Sequence, residues 1–194
     1  MQHSEMTLFP GQPMRIYEVP PAVTAPDSPW LVQFKKNGHR AIVRCDEAGR
    51  VVMIDRHGKG ELAASKKGEW QWLADVFAPP FVLDGELVGP RQAGSKNWSL
   101  ALWDAISMAG CSWAEIRYLD RLRMLKEPIP RSQGTVHIVG WMFEPAGWRN
   151  IWDSITDPDG EDEGLVFKRW DIPLAWHTRP GVEDPNQLKL RRKG

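Results

Sequence analysis

Two adjacent lysines stand before an Asn-Gly step in the stretch Gln33-Phe34-Lys35-Lys36-Asn37-Gly38-His39-Arg40. A deprotonated lysine amine is a nucleophile, so the stretch is either a basic hairpin turn or the seat of covalent chemistry. Taken alone it says little, because a lysine three residues before a glycine arises about once by chance in a chain of ordinary composition and this size. The other chemistry-bearing clusters are as bland one by one. Asp84-Gly85-Glu86 reads as a hairpin turn, and Glu163 to Lys168 as an exposed strand with charged ends. Lys189 and Arg191 alternate to one face, as on a solvated edge strand, and Trp103 reads as core.

Their order carries more than any one of them. Lys35 to Arg40 is followed by Asp55-Arg56-His57-Gly58-Lys59, Leu83-Asp84-Gly85-Glu86-Leu87-Val88 and Trp103-Asp104. Glu163-Gly164-Leu165-Val166-Phe167-Lys168 and Lys189-Leu190-Arg191 complete the series. In this order the six elements resemble the motif series of the covalent nucleotidyltransferases, the superfamily of ATP-dependent DNA ligases, RNA ligases and mRNA capping enzymes. The resemblance spans residues 30–191 and implies a ligase-type nucleotidyltransferase domain, ATP-grasp-like in build, that uses ATP with Mg2+ or Mn2+.

The resemblance also implies roles. Lys35 matches the nucleophile that forms a lysyl-nucleotide phosphoramidate, and Lys36 the variable position beside it. Arg40 and Glu86 match residues that contact and orient the ribose. Glu163 matches the glutamate that supports metal and lysine, with Glu86 as a second candidate metal ligand. Lys168 joins Lys35, Glu163 and Lys189 in the catalytic set and, with Val166, lines the nucleotide. Lys189 and Arg191 match paired cations on the α-phosphate. Trp103 matches an aromatic position that stacks on the purine, a contact worth about 1 to 3 kcal/mol. Arg56 resembles the arginine of a short motif facing nucleic acid and is placed on the nucleotide side as well.

The chemistry explains the collection. Attack on an α-phosphate needs the neutral amine, and an ordinary lysine pKa of about 10.4 makes deprotonation at pH 7 cost roughly 4 to 5 kcal/mol. Burial, neighbouring cations and a divalent metal all lower that cost, and Lys168, Lys189 and Arg191 are the cations at hand.

Three features depart from the family pattern. Asn37 replaces the usual aspartate of the nucleophile motif, as it does in some RNA ligases, and loses an acidic acceptor. Arg191 replaces the last lysine; it keeps the charge and can grip phosphate bidentately, but it cannot exchange a proton. In the family the chain usually continues into an OB-fold domain, whereas Arg191 lies three residues from Gly194, so the expectation is that self-nucleotidylation is slow or relies on a partner protein or on the basic tail 192–194. Within the superfamily, Leu83 to Val88, Ile54 to Lys59 and the Tyr118-to-Leu125 segment look most like ATP-dependent DNA ligases, with a nicked DNA duplex as substrate. An RNA ligase is the alternative enzyme, and a non-catalytic nucleotide- or nucleic-acid-binding module the alternative of another class.

Composition fits such a scaffold without pointing to it. Lys plus Arg equals Asp plus Glu at 25 each, so nucleic-acid contact would need a local patch, for which Arg56, Lys59, Lys66, Lys67 and the tail are candidates. Cys45 and Cys111 are too few and too far apart for a disulfide framework or zinc site, and both read as buried thiols of a reducing compartment. There is no signal-like segment and no run near 18 apolar residues, so the expectation is a cytoplasmic protein without a membrane span.

The elements that must hold these residues make an α+β fold, mostly antiparallel sheet flanked by helices. Residues 1–29 read as an irregular lead-in packed through Ile16, Tyr17 and Val19. WLVQF, RAIVRC and RVVMID read as an antiparallel meander with Asn37-Gly38 at its first turn, and FVLDGELVG as strand, turn, strand. One helix is expected over Trp70 to Phe77 and a second over Trp113 to Leu125, opened by a Ser112/Glu115 capping box. SLALWDAI, TVHIVGWMF, GLVFKRW and QLKLR read as strands, and residues 157–164 as an acidic loop.

Overall fold

A computed structural model of the chain describes residues 8–58, 60–62, 70–89, 98–129, 135–143, 145–157 and 160–192. Lys59, Lys66, Lys67 and Lys193 of the expected basic patch lie outside these residues. The elements begin with β1 (Phe9–Pro10), β2 (Gln12–Ile16), α1 (Pro21–Thr24), β3 (Trp30–Lys36), β4 (His39–Cys45) and β5 (Val51–Asp55). Next come α2 (Leu73–Val76), β6 (Phe81–Val88), β7 (Ser99–Met108), β8 (Cys111–Ser112), α3 (Tyr118–Lys126), β9 (Val136–Ile138) and β10 (Trp141–Met142). The last are α4 (Trp148–Ser154), β11 (Asp162–Arg169), β12 (Trp176–His177) and β13 (Glu183–Arg191).

Two sheets dominate. One has the order β10-β3-β11-β13-β2, and the other the order β5-β4-β6-β7-β8 with β9 also on β7. Pairing is antiparallel throughout them except for β13 with β2 and β7 with β9. Alternation explains the layering. In β3 and β11, Val32, Leu165 and Phe167 enter a core with Val19, Val23 and the helix α4. In β4 and β6, Ala41, Val43, Leu83 and Leu87 enter a second core with Trp70, Leu73 and Phe77. Between the sheets, Tyr118 and Leu122 of α3 pack with Leu31 and Leu174.

The α+β class holds, but several local expectations do not. Asn37-Gly38 joins no hairpin: β3 pairs with β10 and β11, while β4 pairs with β5 and β6, so the step carries the chain from one sheet to the other. Asp84-Gly85-Glu86 is not a turn but the middle of the single strand β6. Gly85 is needed there because a Cβ would collide with the Ala101 carbonyl oxygen and approach Leu102 to 3.0 Å. The expected irregular lead-in contributes the edge strand β2, and Tyr17 is 77% exposed rather than packed.

The helices are short. The Trp70-to-Phe77 periodicity yields turns followed by one helical turn, α2. The capping box does not open α3: Ser112 lies in β8, its Oγ accepts from the Ala114 N–H at 3.3 Å, and the helix starts at Tyr118. The first orphan N–H groups of α3 donate instead to the carbonyls of Ile172 (2.9 Å) and Trp170 (3.1 Å), so a tertiary contact decides the start that a local signal was expected to set. Cys45 is buried as expected, but Cys111 is exposed. No helix among the described residues is long and apolar enough to cross a membrane.

Candidate active site

The two sheets enclose a cleft of about 810 Å³ between them. One wall belongs to β3, β11 and β13. Register aligns Gln33, Val166 and Lys189 in one row, and Lys35, Gly164 and Arg191 in the next. Because Leu165, Phe167, Leu188 and Leu190 serve the core behind, strand alternation turns Val166, Lys168, Lys189 and Arg191 toward the cleft.

Glu163 breaks that alternation. Asp162 pairs with Lys36 and Gly164 with Lys35, leaving Glu163 as the extra residue of a β-bulge. The bulge aims its buried carboxylate at Lys35: Oε1 accepts from Lys35 Nζ, and Oε2 from Arg191 Nη2. The neighbouring Gly164 cannot carry a Cβ without striking the Leu190 carbonyl and reaching 3.0 Å from Arg191 Cα. Lys36, next to Lys35, also lines the cleft and pairs with Glu161 (2.7 Å) and Asp162 (2.8 Å). Asn37 donates its backbone N–H to the Glu161 carbonyl (2.8 Å) and its side-chain amide to the Gly160 carbonyl (3.2 Å). It thus acts as a donor toward residues 160–161 where an aspartate could only accept.

The facing wall comes from β4, β6 and β7. Asp84, 2% exposed, accepts from Arg40 through both carboxylate oxygens and from the Trp103 indole N–H at 2.8 Å. Trp103 also sits on a bulge, since Gly85 pairs with Leu102 and Asp84 with Asp104. Its indole ring is flanked by two cations, the Arg40 guanidinium at 5.2 Å and Lys168 Nζ at 5.3 Å from the centroid. A base stacking on Trp103 would meet these cations as neighbours.

Tyr118 ties the two walls together. Its hydroxyl accepts from Lys168 Nζ at 3.1 Å and lies 3.0 Å from Gln33 Oε1 and 2.8 Å from the Trp103 carbonyl oxygen, to one of which it donates. Behind it, the buried Arg121 and Asp104 pair at 3.1 Å and anchor α3 to β7.

Burial sets the charges. It lowers the Lys168 amine to about 7, with Arg40 and Arg121 adding to the effect and Asp104 and Asp84 opposing it. Burial also raises the Glu86 carboxyl to about 7, against Lys35 and Arg40 and with help from Asp84 and Glu163. Lys189 is lowered by burial and by the nearby Lys35. Burial works against the Arg40 guanidinium, but Asp84 outweighs it and raises the group above its usual value. The Tyr118 hydroxyl is pushed well up by burial and Asp104, so it stays protonated and can keep donating.

Lys35, Arg40, Arg56, Glu86, Trp103, Glu163, Val166, Lys168, Lys189 and Arg191 all line this one cleft. Arg56 stands at its rim, held by His57 (Nε to Nε2, 3.1 Å) on the turn after β5. No family model matches the sequence. No curated protein matches it either. Solved structures do. The ligase domain of LigD from M. tuberculosis superposes with a TM-score of 0.67 at 19% identity, over 94% of this chain and 59% of that one. The ATP-dependent DNA ligase of bacteriophage T7 in complex with ATP gives 0.56 at 13% identity, over 94% and 68%. An archaeal ATP-dependent RNA ligase gives 0.53 at 17%, over 84% and 42%.

The chain has the fold of a ligase-type nucleotidyltransferase domain. It spans 59% of the LigD ligase domain that it matches. In this cleft the carboxylates present suit a hard cation. Among the described residues no group of three or more His, Cys, Asp or Glu could hold a metal alone. Glu163 and Glu86 line the cleft and offer two carboxylates, within the one or two that Mg2+ uses when phosphates and water complete its shell.

Gln33, Arg15, Asp84 and Tyr118 are among the residues of the cleft and its walls that escaped the motif reading. Gln33 precedes Lys35 by two and therefore shares its face, a signal that period-2 counting contains. Arg15 lies between Met14 and Ile16 by the same rule. Asp84 was hidden by the turn assignment of Asp84-Gly85-Glu86. Tyr118 had no local signal, because its role depends on three strands meeting around one hydroxyl.

Proposed function

We propose that the protein is an ATP-dependent, DNA-ligase-like nucleotidyltransferase in which Lys35 takes AMP from ATP and passes it to the 5′-phosphate of a nicked duplex. The observation that carries this reading is the contact of Lys35 Nζ with the bulge-borne Glu163, in a cleft that also presents Lys189 and Arg191 on one wall and Arg40 and Trp103 on the other. Residues 30–191 form the catalytic unit.

In the first step the Lys35 nitrogen bonds to the α-phosphorus and the bond from that phosphorus to the bridging oxygen breaks. Pyrophosphate leaves with the electron pair. The amine must shed a proton, and the Glu163 carboxylate touching Nζ is the acceptor at hand. Lys189 and Arg191 face the developing charge on the non-bridging oxygens. Arg40, locked by Asp84, and Glu86 hold the ribose, while Trp103 supports the base. A divalent cation on Glu163 and Glu86 would supply charge neutralisation at the phosphates. In the second step the 5′-phosphate oxygen displaces Lys35 from the AMP phosphorus, returning the amine. In the third the 3′-hydroxyl attacks the 5′-phosphate, sealing the strand and releasing AMP.

Lys36 is a poor rival for the nucleophile because two carboxylates, of Glu161 and Asp162, hold its ammonium away from Glu163. The test is to incubate the protein with Mg2+ and α-labelled ATP, denature it and look for a labelled band. Wild type and Lys36→Ala should carry label and Lys35→Ala none. Label on Lys35→Ala would refute the assignment, and an unlabelled wild type would favour a binding-only module. Nicks with a ribose or deoxyribose 3′-hydroxyl strand then separate RNA from DNA ligation.

A further inference from the structure

Outside the motif series, one cation on the cleft wall has no assigned task. In β2, Met14 and Ile16 pack into the core with Leu188 and Leu190, so alternation turns Arg15 to the opposite face, into the cleft and directly beside Lys189. Register places Gln33, Val166, Lys189 and Arg15 across four successive strands, with Arg15 outermost. With strands about 4.8 Å apart, Arg15 starts roughly 14 Å from the Lys35 strand, and Lys189 stands between them.

The placement is electrostatically costly as it stands. Like charges side by side on adjacent strands repel. Among the described residues Arg15 has no carboxylate partner; its contact is the Tyr17 ring, 5.0 Å from the guanidinium carbon. Burial lowers the Lys189 amine first, and the neighbouring cations Lys35 and Arg15 add to that, with Glu183 opposing them. An extended polyanion lying from Lys35 toward the sheet edge would relieve all three, and a guanidinium grips phosphate bidentately where an ammonium acts as a point charge.

We infer that Arg15 holds the β- and γ-phosphates of the nucleoside triphosphate, so that the N-terminal edge strand selects triphosphate over monophosphate and positions the pyrophosphate leaving group. This rests on the nucleotidyltransferase reading above. Its chemistry is non-covalent: Arg15 neither gives nor takes a proton, and the electron pair still leaves with pyrophosphate.

The test compares equilibrium binding of α,β-methylene-ATP, which Lys35 cannot cleave, with that of AMP by calorimetry, for wild type, Arg15→Ala and Arg15→Lys. Wild type should prefer the triphosphate analogue. Arg15→Ala should lower the ratio of analogue to AMP affinity about tenfold, the size of one lost charge-assisted contact, and Arg15→Lys should fall between. A parallel self-labelling assay should show the same variant raising KM for ATP more than it lowers kcat. If wild type binds both ligands and the ratio is unchanged in Arg15→Ala, or both affinities fall together, the role of Arg15 is overturned while the nucleotidyltransferase reading survives. If wild type binds neither ligand, both fall.

Discussion

Lys168 is the residue whose environment departs most from what its letter implies. It is 3% exposed, packed over the Tyr118 ring at 4.8 Å and near the Trp103 ring, and its amine is lowered to about 7. A depressed lysine means that the folded state binds fewer protons than the unfolded state between about pH 7 and 10.5. Stability therefore rises with pH across that window and is lost as pH falls through 7. Glu86, raised to about 7, has the opposite sign: its contribution is present below its ordinary pKa and lost as pH rises toward 7. The two windows meet near neutrality, so a substitution can separate them. Lys168→Met fills a similar volume without a charge to desolvate. Urea unfolding of wild type should show roughly 2 kcal/mol more rise between pH 7 and 9 than Lys168→Met shows. Equal slopes would mean that Lys168 is charged in the folded protein throughout.

Among the elements, α3 matters most to the cleft because Tyr118 reaches both walls from it. What seats α3 is the Arg121–Asp104 pair, with the Arg121 side chain 0% and the Asp104 side chain 4% exposed, plus Arg121 contacts to the Trp113 and Leu174 carbonyls at 3.4 Å. Arg121→Ala leaves Asp104 buried without its cation and should cost about 3 to 5 kcal/mol in chemical denaturation. Arg121→Met combined with Asp104→Leu should recover most of that loss, since an apolar pair replaces an ion pair at little net cost. A double variant as unstable as the single one would show that the pair's contacts, and not the stranded charge, hold the helix. The same scale shows what the letters could and could not reveal. Strands over Trp30, Ala41, Val51 and Ser99 were legible because alternation is local. The bulges at Glu163 and Trp103 were not, because an extra residue in a strand exists only relative to its partner. The Asn37-Gly38 step misled for the same reason: its letters specify a bend, while the pairing of β3 and β4 with different neighbours decides that no hairpin forms. The site residues could be collected from motif order and Arg15 from period-2 counting, yet Asp84 and Tyr118 required the two sheets to be seen facing each other.

Among the described residues the two large sheets have separate cores, joined through the α3 cluster of Leu31, Tyr118, Leu122 and Leu174. Lys35, Lys189 and Arg191 belong to one sheet, and Arg40, Glu86 and Trp103 to the other. A nucleotide held in the cleft must therefore strap one sheet to the other, and its binding energy should stabilise the folded chain as a unit. At a hundredfold excess over its Kd, a ligand that binds only the folded state adds about 2.7 kcal/mol. For a chain of this length that corresponds to a rise in Tm of roughly 5 to 10 °C. α,β-Methylene-ATP with Mg2+ should produce this rise in one transition, reported alike by tryptophan fluorescence and by far-UV dichroism. Pyrophosphate at the same concentration meets chiefly the cations of the β3–β11–β13 wall, so its effect should be smaller. Two transitions, of which the analogue moves one, would show that the nucleotide rests on a single wall and that the facing residues Arg40, Glu86 and Trp103 serve the fold instead.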